Sequence, residues 1–206
     1  MFTGIVQGTG TIISVDKKSI SSTLTIDLGE LSSNLSLGSS VSIDGVCMTV
    51  TSQNDTKVSF DAIQETLTRT TIGQAVEGDV VNVERALKMG DELGGHLLSG
   101  HVMCQSSVVT KKNYGESVDL EISVNDKLKP YILEKGYISI DGISLTIGKV
   151  NQNTFNLHLI PETLERTTIN SKVEGSMVNV EIDSITQAVV STVSSIMKNL
   201  SSLNEG

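Results

Sequence analysis

The chain has 206 residues, a net charge of −9 and only two cysteines, Cys47 and Cys104. The acidic balance argues against a nucleic acid or an anionic membrane as partner, because both are bound through basic surfaces. Two cysteines are too few for a disulfide framework, and no apolar run is long enough to span a bilayer. The opening MFTGIVQGTG lacks the pattern of a signal peptide, so we expect a cytoplasmic protein.

Short β-branched runs separated by Gly, Asn and Asp follow one another from the N-terminus. This pattern is typical of an all-β barrel or sandwich rather than of an α/β fold. The first runs lie at residues 11–15, 23–28, 41–43, 48–51 and 80–83.

An internal repeat dominates the chain. Residues 41–86 align without a gap on residues 138–183, and 21 of the 46 positions are identical. Chance would give roughly one match in fifteen positions. The match continues backwards with a shift of one residue, so that FTGIVQG aligns with LSGHVMC. We therefore expect a first domain at 1–86, a linker at 87–96, a second domain at 97–183 and a tail at 184–206.

The tail has the spacing of an amphipathic helix. Asp183 or Ser184 is the expected N-cap. Two interpretations of the apolar face remain open: packing on the chain's own domains, or contact between subunits of an oligomer. The apolar positions, at intervals of three or four residues, are Ile185, Val189, Val193, Ile196, Leu200 and Leu203.

The motif SIDGxxxT occurs once in each copy. Cys47 and Thr49 in the first copy, and Ser144 and Thr146 in the second, are alternate residues of a strand and face the same side. They could line a pocket, or they could lie on a solvated outer face. Cys47 favours the pocket, because free cysteines are usually buried.

The motif ETLxRTT is the second one shared by the copies. Its Glu and Arg residues could form a structural ion pair, whereas Ile63 and Ile160 precede it at strand ends, where free backbone groups can bind the edge of a heterocycle. His96 and His101 are five residues apart and would point to opposite faces of one strand, so we expect no metal site.

The copies differ where polar groups would meet a ligand: Cys47 aligns with Ser144, and Ile5 with His101. Two pockets of one shape with different polar groups suit two copies of one ligand in different roles. The alternative is that duplication only enlarged a core.

Four segments together resemble the riboflavin synthase family, in order and over nearly the whole chain: MFTGIVQG, GGHLLSGHV, the two SIDG strands and LIPETLERTT. The resemblance implies an all-β fold of two tandem six-stranded Greek-key barrels with a C-terminal α-helix, and a homotrimer formed through that helix. It implies dismutation of two 6,7-dimethyl-8-ribityllumazine molecules to riboflavin and 5-amino-6-(D-ribitylamino)uracil, with no cofactor or metal. It also leaves room for association with lumazine synthase.

The resemblance implies a site between the N-terminal barrel of one subunit and the C-terminal barrel of a neighbour. The catalytic candidates are Ser144 with Asp141, and Cys47 with His101 across the interface. Of these, Asp141 and His101 are expected to be the most sensitive to alanine. The rival functions are a non-catalytic lumazine- or flavin-binding antenna protein and a structural trimer that binds nothing. The substrate-binding positions implied are Gly4, Val6, Thr49, Ile63, Thr66, Gly100, Val102, Lys135, Thr146, Ile160 and Thr163.

Overall fold

The computed structural model describes the backbone of residues 1–204 and the side chains of residues 1–201. It contains two closed six-stranded antiparallel barrels followed by a C-terminal helix, which confirms the predicted fold class. In the first barrel the strand order is β1-β2-β5-β4-β3-β6. These strands are β1 (Gly8–Lys17), β2 (Ser21–Asp27), β3 (Ser40–Ile43), β4 (Val46–Asn54), β5 (Lys57–Ile63) and β6 (Val80–Arg85).

The second barrel repeats the first, with the closed order β10-β11-β8-β7-β12-β9. Its strands are β7 (Cys104–Tyr114), β8 (Ser117–Ser123), β9 (Tyr137–Ile140), β10 (Ile143–Val150), β11 (Thr154–Leu159) and β12 (Met177–Ile182). The helices are α1 (Gln64–Arg69), α2 (Pro161–Arg166) and α3 (Ser184–Asn204), with 3-10 helices at Gly29–Ser32, Thr71–Gln74, Lys129–Tyr131 and Thr168–Ser171.

Each barrel closes around its own core because its strands alternate buried and partly exposed residues. Along β2, Leu24 and Ile26 are buried between half-buried threonines, and β8 has the same alternation. The two cores are separate clusters, and each contains a fully buried phenylalanine, Phe60 in the first barrel and Phe155 in the second. A period of two with one apolar face is the pattern that a closed barrel requires.

The segments that precede the two barrels, residues 1–7 and 97–103, each reach the other barrel, and we call them the crossing segments. Val6 lies in the core of the second barrel, whereas Val102 packs against the core of the first. Phe2 and Leu98 pair with each other between these segments, with N–H to O distances of 2.8 and 2.9 Å. Each barrel is therefore completed by residues that the sequence assigns to the other.

The barrels pack against each other through buried polar groups. Asn179 donates from Nδ2 to the backbone oxygen of Asp44 at 2.8 Å, and Asn82 donates in the same way to Asp141 at 2.9 Å. Gly45 and Gly142 meet so closely that a Cβ on Gly45 would lie 2.6 Å from the Gly142 nitrogen. The two SIDG turns are consequently back to back in the centre of the molecule.

Helix α3 begins where the sequence predicts. The Asp183 carboxylate accepts hydrogen bonds from Thr186 N and Oγ1 at 2.8 and 2.7 Å, so Asp183 is the N-cap. The apolar face does not pack on the barrels of its own chain, because its residues are between half and three-quarters exposed. Leu203 lies outside the described side chains. These exposed residues are Ile185, Val189, Val193, Ile196 and Leu200.

Candidate functional site

A cavity of about 600 Å³ opens between the start of β4, helix α1 and the segment that leads into β7. Cys47 and Thr66 line it from the first barrel, and His101 lines it from the crossing segment. The structure thus brings Cys47 and His101 together within one chain, whereas the sequence analysis paired them across a subunit interface. The predicted site residues that share this cavity are Cys47, Thr66, Gly100, His101 and Val102.

The crossing segment is held in this cavity by one carboxylate. Glu181 accepts hydrogen bonds from Ser99 N and Ser99 Oγ, both at 2.7 Å, and from Gly100 N at 3.1 Å. Cys47 N then donates to Gly100 O at 2.9 Å. Gly100 has φ +78°, and a Cβ at this position would lie 2.6 Å from the Cβ of Cys47. Only glycine allows this approach.

The same arrangement occurs beside Ser144 of the second barrel, with the carboxylate supplied by β6 of the first barrel. Glu84 accepts hydrogen bonds from Thr3 N at 2.6 Å, Thr3 Oγ1 at 2.7 Å and Gly4 N at 3.0 Å. Burial raises the pKa of Glu84 from its usual value, against the lowering effect of these hydrogen bonds. Ser144 N donates to Gly4 O at 2.8 Å. Ser144 therefore has the backbone environment that Cys47 has in the first barrel.

Ser144 differs from Cys47 in having a buried histidine as partner. The Nδ1 atom of His96 lies 2.7 Å from Ser144 Oγ, and the ring is stacked on Tyr137 with a centroid distance of 5.1 Å. His96 is only 5% exposed, and its Nε2 has no hydrogen-bond partner among the described residues. Burial lowers the pKa of His96, opposed by the negative charge of Asp183, so the neutral ring is favoured.

The sequence analysis weighed His96 only as a metal ligand and missed this pair. The signal in the sequence was Gly95, the glycine before His96. In the structure, a Cβ on Gly95 would lie 2.2 Å from Thr3 O and 2.9 Å from Ser144 Oγ. A glycine there lets the linker backbone approach the second site closely enough for His96 to reach Ser144.

Asp141 does not lie beside the Ser144 hydroxyl. Its side chain is fully buried between the barrels, where Oδ1 accepts from Asn179 N at 2.6 Å and Oδ2 lies 3.0 Å from Lys172 Nζ. Its φ of +46° is that of the turn before β10. The proton transfer with Ser144 for which we selected Asp141 has no direct contact in the structure.

The remaining predicted positions do not line the cavity that contains Cys47. Lys135 is exposed and has φ +66°, at the position where the first copy has Gly38 with φ +82°. A lysine in the left-handed region is unfavourable by about 1–2 kcal/mol, so having Lys135 in place of a glycine lowers the stability of the folded chain. Ile63 and Ile160 are 64% and 60% exposed, as expected for strand-end residues that leave a face open. Thr49 and Thr146 are exposed, Thr163 is half-buried, and Gly4 and Val6 are buried in the crossing segment.

The Glu–Arg pairs of the ETLxRTT motif are ion pairs within single helices. Glu65 pairs with Arg69 in α1, and Glu162 pairs with Arg166 in α2, one turn apart and exposed. The structural interpretation of these residues is therefore confirmed. In the part of the chain that the structure describes, no three His, Cys, Asp or Glu residues are grouped so as to hold a metal ion, and no helix is long and apolar enough to cross a membrane.

Comparison with known proteins agrees with this doubled geometry. The lumazine binding domain family matches residues 3–86 and 99–183, one match for each barrel. The riboflavin synthase of Escherichia coli K12 is 49% identical over 199 residues, which cover 96% of this chain and 93% of that protein. The riboflavin synthase of Chlamydia pneumoniae is 45% identical, covering 96% of this chain and 97% of its own length.

Solved structures of LumP have the same fold. LumP complexed with riboflavin superposes with a TM-score of 0.82 and 27% identity, covering 88% of this chain and 99% of that one. LumP complexed with 6,7-dimethyl-8-(1'-D-ribityl) lumazine gives 0.80 and 25%, covering 88% and 98%. Fold and site define a protein of two lumazine binding domains in tandem. The high sequence identity over nearly the whole chain identifies the family within this class: the chain belongs to the riboflavin synthase family.

Proposed function

We propose that this protein catalyses the dismutation of two 6,7-dimethyl-8-ribityllumazine molecules to riboflavin and 5-amino-6-(D-ribitylamino)uracil, without a metal or cofactor. The observation that carries the proposal is the doubled site. Cys47 N donates a hydrogen bond to Gly100 O, and Ser144 N donates one to Gly4 O, so each residue binds the backbone of one crossing segment. Two equivalent places for one kind of ligand are what a reaction between two identical substrates requires.

The two halves supply different polar groups to the two substrates. Cys47 and His101 line the cavity of the first barrel, and the Ser144 hydroxyl is hydrogen-bonded to His96. Burial favours the neutral form of His96. In the tautomer with the proton on Nε2, Nδ1 can accept the Ser144 proton: the Oγ–H bond breaks, an Nδ1–H bond forms, and Oγ becomes the stronger nucleophile or the base for a water molecule. Asp141 serves this reaction by positioning β10 rather than by transferring a proton, because Lys172 and Asn179 occupy its carboxylate.

Binding two lumazines side by side supplies much of the rate in this proposal, since correct orientation lowers the barrier without any covalent chemistry. The exposed isoleucines at the strand ends, Ile63 and Ile160, are suited to contact with flat rings. Lys135, Thr49, Thr66, Thr146 and Thr163 are assigned to substrate binding, together with the backbone at Gly4, Val6, Gly100 and Val102. The antenna alternative is disfavoured, because a protein that only binds a chromophore has no need of a second polar site.

The test is to mix the purified chain with 6,7-dimethyl-8-ribityllumazine, with no metal or cofactor added, and to follow riboflavin absorbance. We expect one riboflavin for every two lumazines consumed. Tight binding with a change of fluorescence but without riboflavin would establish the antenna function instead. The absence of both binding and turnover would favour the structural trimer.

Variants of the Ser144–His96 pair test the proton transfer. We expect Ser144→Ala and His96→Gln each to lower turnover by about tenfold to a hundredfold, toward the low end of general acid–base effects because orientation still operates. The double variant is expected to be no slower than the worse single one, because the two side chains act as one unit. Riboflavin affinity should stay within a factor of about three. Additive losses in the double variant would contradict a shared role.

We also propose that α3 forms the core of a homotrimer. Its apolar face is too continuous to remain exposed to solvent. Contact between the same faces of three chains would bury it. The contact between Tyr131 Oη and Ser191 Oγ, at 3.1 Å, joins the other side of the helix to its own barrel. Cytoplasmic location and association with lumazine synthase stay predictions, which fractionation and co-purification can test.

A charge on the apolar face of α3 is expected to separate the subunits. Val193→Asp would bury a carboxylate against apolar neighbours, and we expect the dissociation constant of the trimer to rise by more than about a hundredfold. Ser194→Asp, on the polar side of the helix, is the matched control and should leave the assembly intact. Light scattering after gel filtration measures the mass. A trimer that persists in Val193→Asp would exclude this face as the contact.

A further inference from the structure

A second polar cluster lies in the interface between the barrels, apart from the cavity that contains Cys47. Asp44 and Asp141 occupy the same position in the two copies, and each is more than nine-tenths buried. Each accepts a hydrogen bond at Oδ1 from a backbone N–H of the neighbouring strand, from Asn82 at 2.7 Å and from Asn179 at 2.6 Å. These bonds account for one oxygen of each carboxyl group.

The second oxygens are not equivalent, because the cluster contains two acids and one base. Lys172 Nζ lies 3.0 Å from Asp141 Oδ2, with 19% of the lysine side chain exposed. The gap-free alignment of the copies places Ala75 opposite Lys172. Among the described residues Asp44 therefore has no cation in ion-pair contact and shares the single charge of Lys172 with Asp141, so the interface can hold at most one carboxylate at balanced charge.

The other charged groups that act on this cluster do not supply the missing cation. Burial, followed by repulsion from Asp141, raises the pKa of Asp44 well above its usual value; Lys172 and the Asn82 N–H oppose this increase, and Asp79 adds to it. Burial opposes the charge of Lys172, yet Asp141 and Asp44 together raise the pKa of that lysine. Asp79 itself is exposed and accepts from Val76 N at 2.9 Å.

Solvent can reach the cluster. A cavity of about 650 Å³ between the barrels is lined by Asp44, Lys172 and Asp79, and it is separate from the cavity that contains Cys47. Protons can therefore exchange at Asp44 without unfolding of either barrel. An ionised Asp44 would leave one uncompensated charge between the two turns.

We propose that the packing of the two barrels is a proton-linked switch, in which a neutral Asp44 allows the SIDG turns to pack and its ionisation loosens them. Asp44–Gly45 and Asp141–Gly142 lead directly into β4 and β10, where Cys47 N and Ser144 N hold the crossing segments. Loosened turns would release both candidate sites together. The proposal goes beyond the catalytic function and does not depend on it.

The sign of the pH dependence follows from proton binding. The unfolded chain loses the Asp44 proton at the usual pH for an aspartate, whereas the folded protein keeps it to a higher pH. The free energy of unfolding must therefore fall as the pH rises between these two values and be constant, for this group, above the upper one. An amide at position 44 keeps the shape and removes the titration.

The experiment records the melting temperature of the full chain from pH 4 to pH 9. The melting temperatures of Asp44→Asn and the parent should be equal at pH 4. By pH 9, that of Asp44→Asn should be about 4 °C higher than that of the parent. Ala75→Lys, which supplies the second cation, should flatten the curve in the same way. Asp79→Asn removes a nearby exposed charge that raises the pKa of Asp44 less than burial does, so it should reduce the parent's slope much less than Asp44→Asn.

Hydrogen exchange provides the local readout. As the pH rises, we expect the Cys47 and Ser144 amides of the parent to exchange faster relative to core amides of β2, by more than the intrinsic effect of hydroxide explains. Asp44→Asn should remove this excess. Parallel melting curves for the parent and Asp44→Asn, or an excess exchange that persists in that variant, would overturn the proposal. Should Ala75→Lys not fold, the other two variants still decide the question.

Discussion

Replacing Glu181 by alanine is expected to remove most of the turnover and to lower the free energy of unfolding by about 3 kcal/mol. The variant leaves the N–H groups of Ser99 and Gly100 without their acceptor, and a buried unpaired donor costs about 1–3 kcal/mol. It also frees the crossing segment that presents His101 beside Cys47. We expect turnover to fall by at least about a hundredfold, as for other losses of positioning.

The repeat supplies a matched variant for this experiment. Glu84→Ala releases Thr3 and Gly4, and so disturbs the Ser144 side instead of the Cys47 side. Each variant should lose one ligand site per chain in a riboflavin titration while the other site keeps its affinity. Glu181→Gln retains an oxygen acceptor and should recover part of both activity and stability. Loss of both sites in each variant would mean that the halves are not independently held.

Asn179→Ala is expected to be the most destabilising single change in the barrel interface, at about 3–4 kcal/mol. Asn179 donates from Nδ2 to the Asp44 oxygen and to Thr71 Oγ1, both at 2.8 Å, and its Oδ1 accepts from Thr71 N at 2.8 Å. The side chain is 1% exposed, so water cannot replace these bonds without opening the interface. Their loss leaves two backbone groups, Asp44 O and Thr71 N–H, and the Thr71 hydroxyl without these partners.

Chemical denaturation measures this effect, with two comparisons. Asn82→Ala removes the equivalent link, to the Asp141 oxygen and the Thr168 N–H, and should cost slightly less because it makes fewer bonds. Asn113→Ala, at an exposed position of β7, should change the stability by less than about 0.5 kcal/mol. An Asn179→Ala variant as stable as Asn113→Ala would show that the barrels are held by apolar contacts alone.

Asp141→Ala is expected to reduce activity, as the sequence analysis proposed, but through a different cause. The variant removes the partner of a buried Lys172, and loss of a buried charge partner affects the whole interface. The sequence motif singled out Asp141 as a candidate. It could not distinguish a proton-transfer group from one that holds a turn, because both occur in the same SIDG sequence.

The sequence by itself determined the local and repeated features of this protein. Alternation of apolar residues determined the strands, the 21 identities between the copies determined two equivalent domains, and Asp183 determined the start of α3. Cys47, Thr66 and His101, which the resemblance to the riboflavin synthase family implied as site residues, share one cavity. The strands, the two domains and the start of the helix depend on neighbours along the chain or on direct comparison of the copies.

Only the tertiary structure decided which residues meet across the duplication. Val6 enters the second core, His96 reaches Ser144, and the Asp141 backbone oxygen accepts from Asn82 of the first barrel. No periodicity along a strand contains this information, because the contacts join residues far apart in sequence and depend on how two closed barrels fit face to face. Once the Gly45–Gly142 contact and the two crossing segments fix that fit, the assignment of each polar side chain to a site or to the interface follows from sterics and burial.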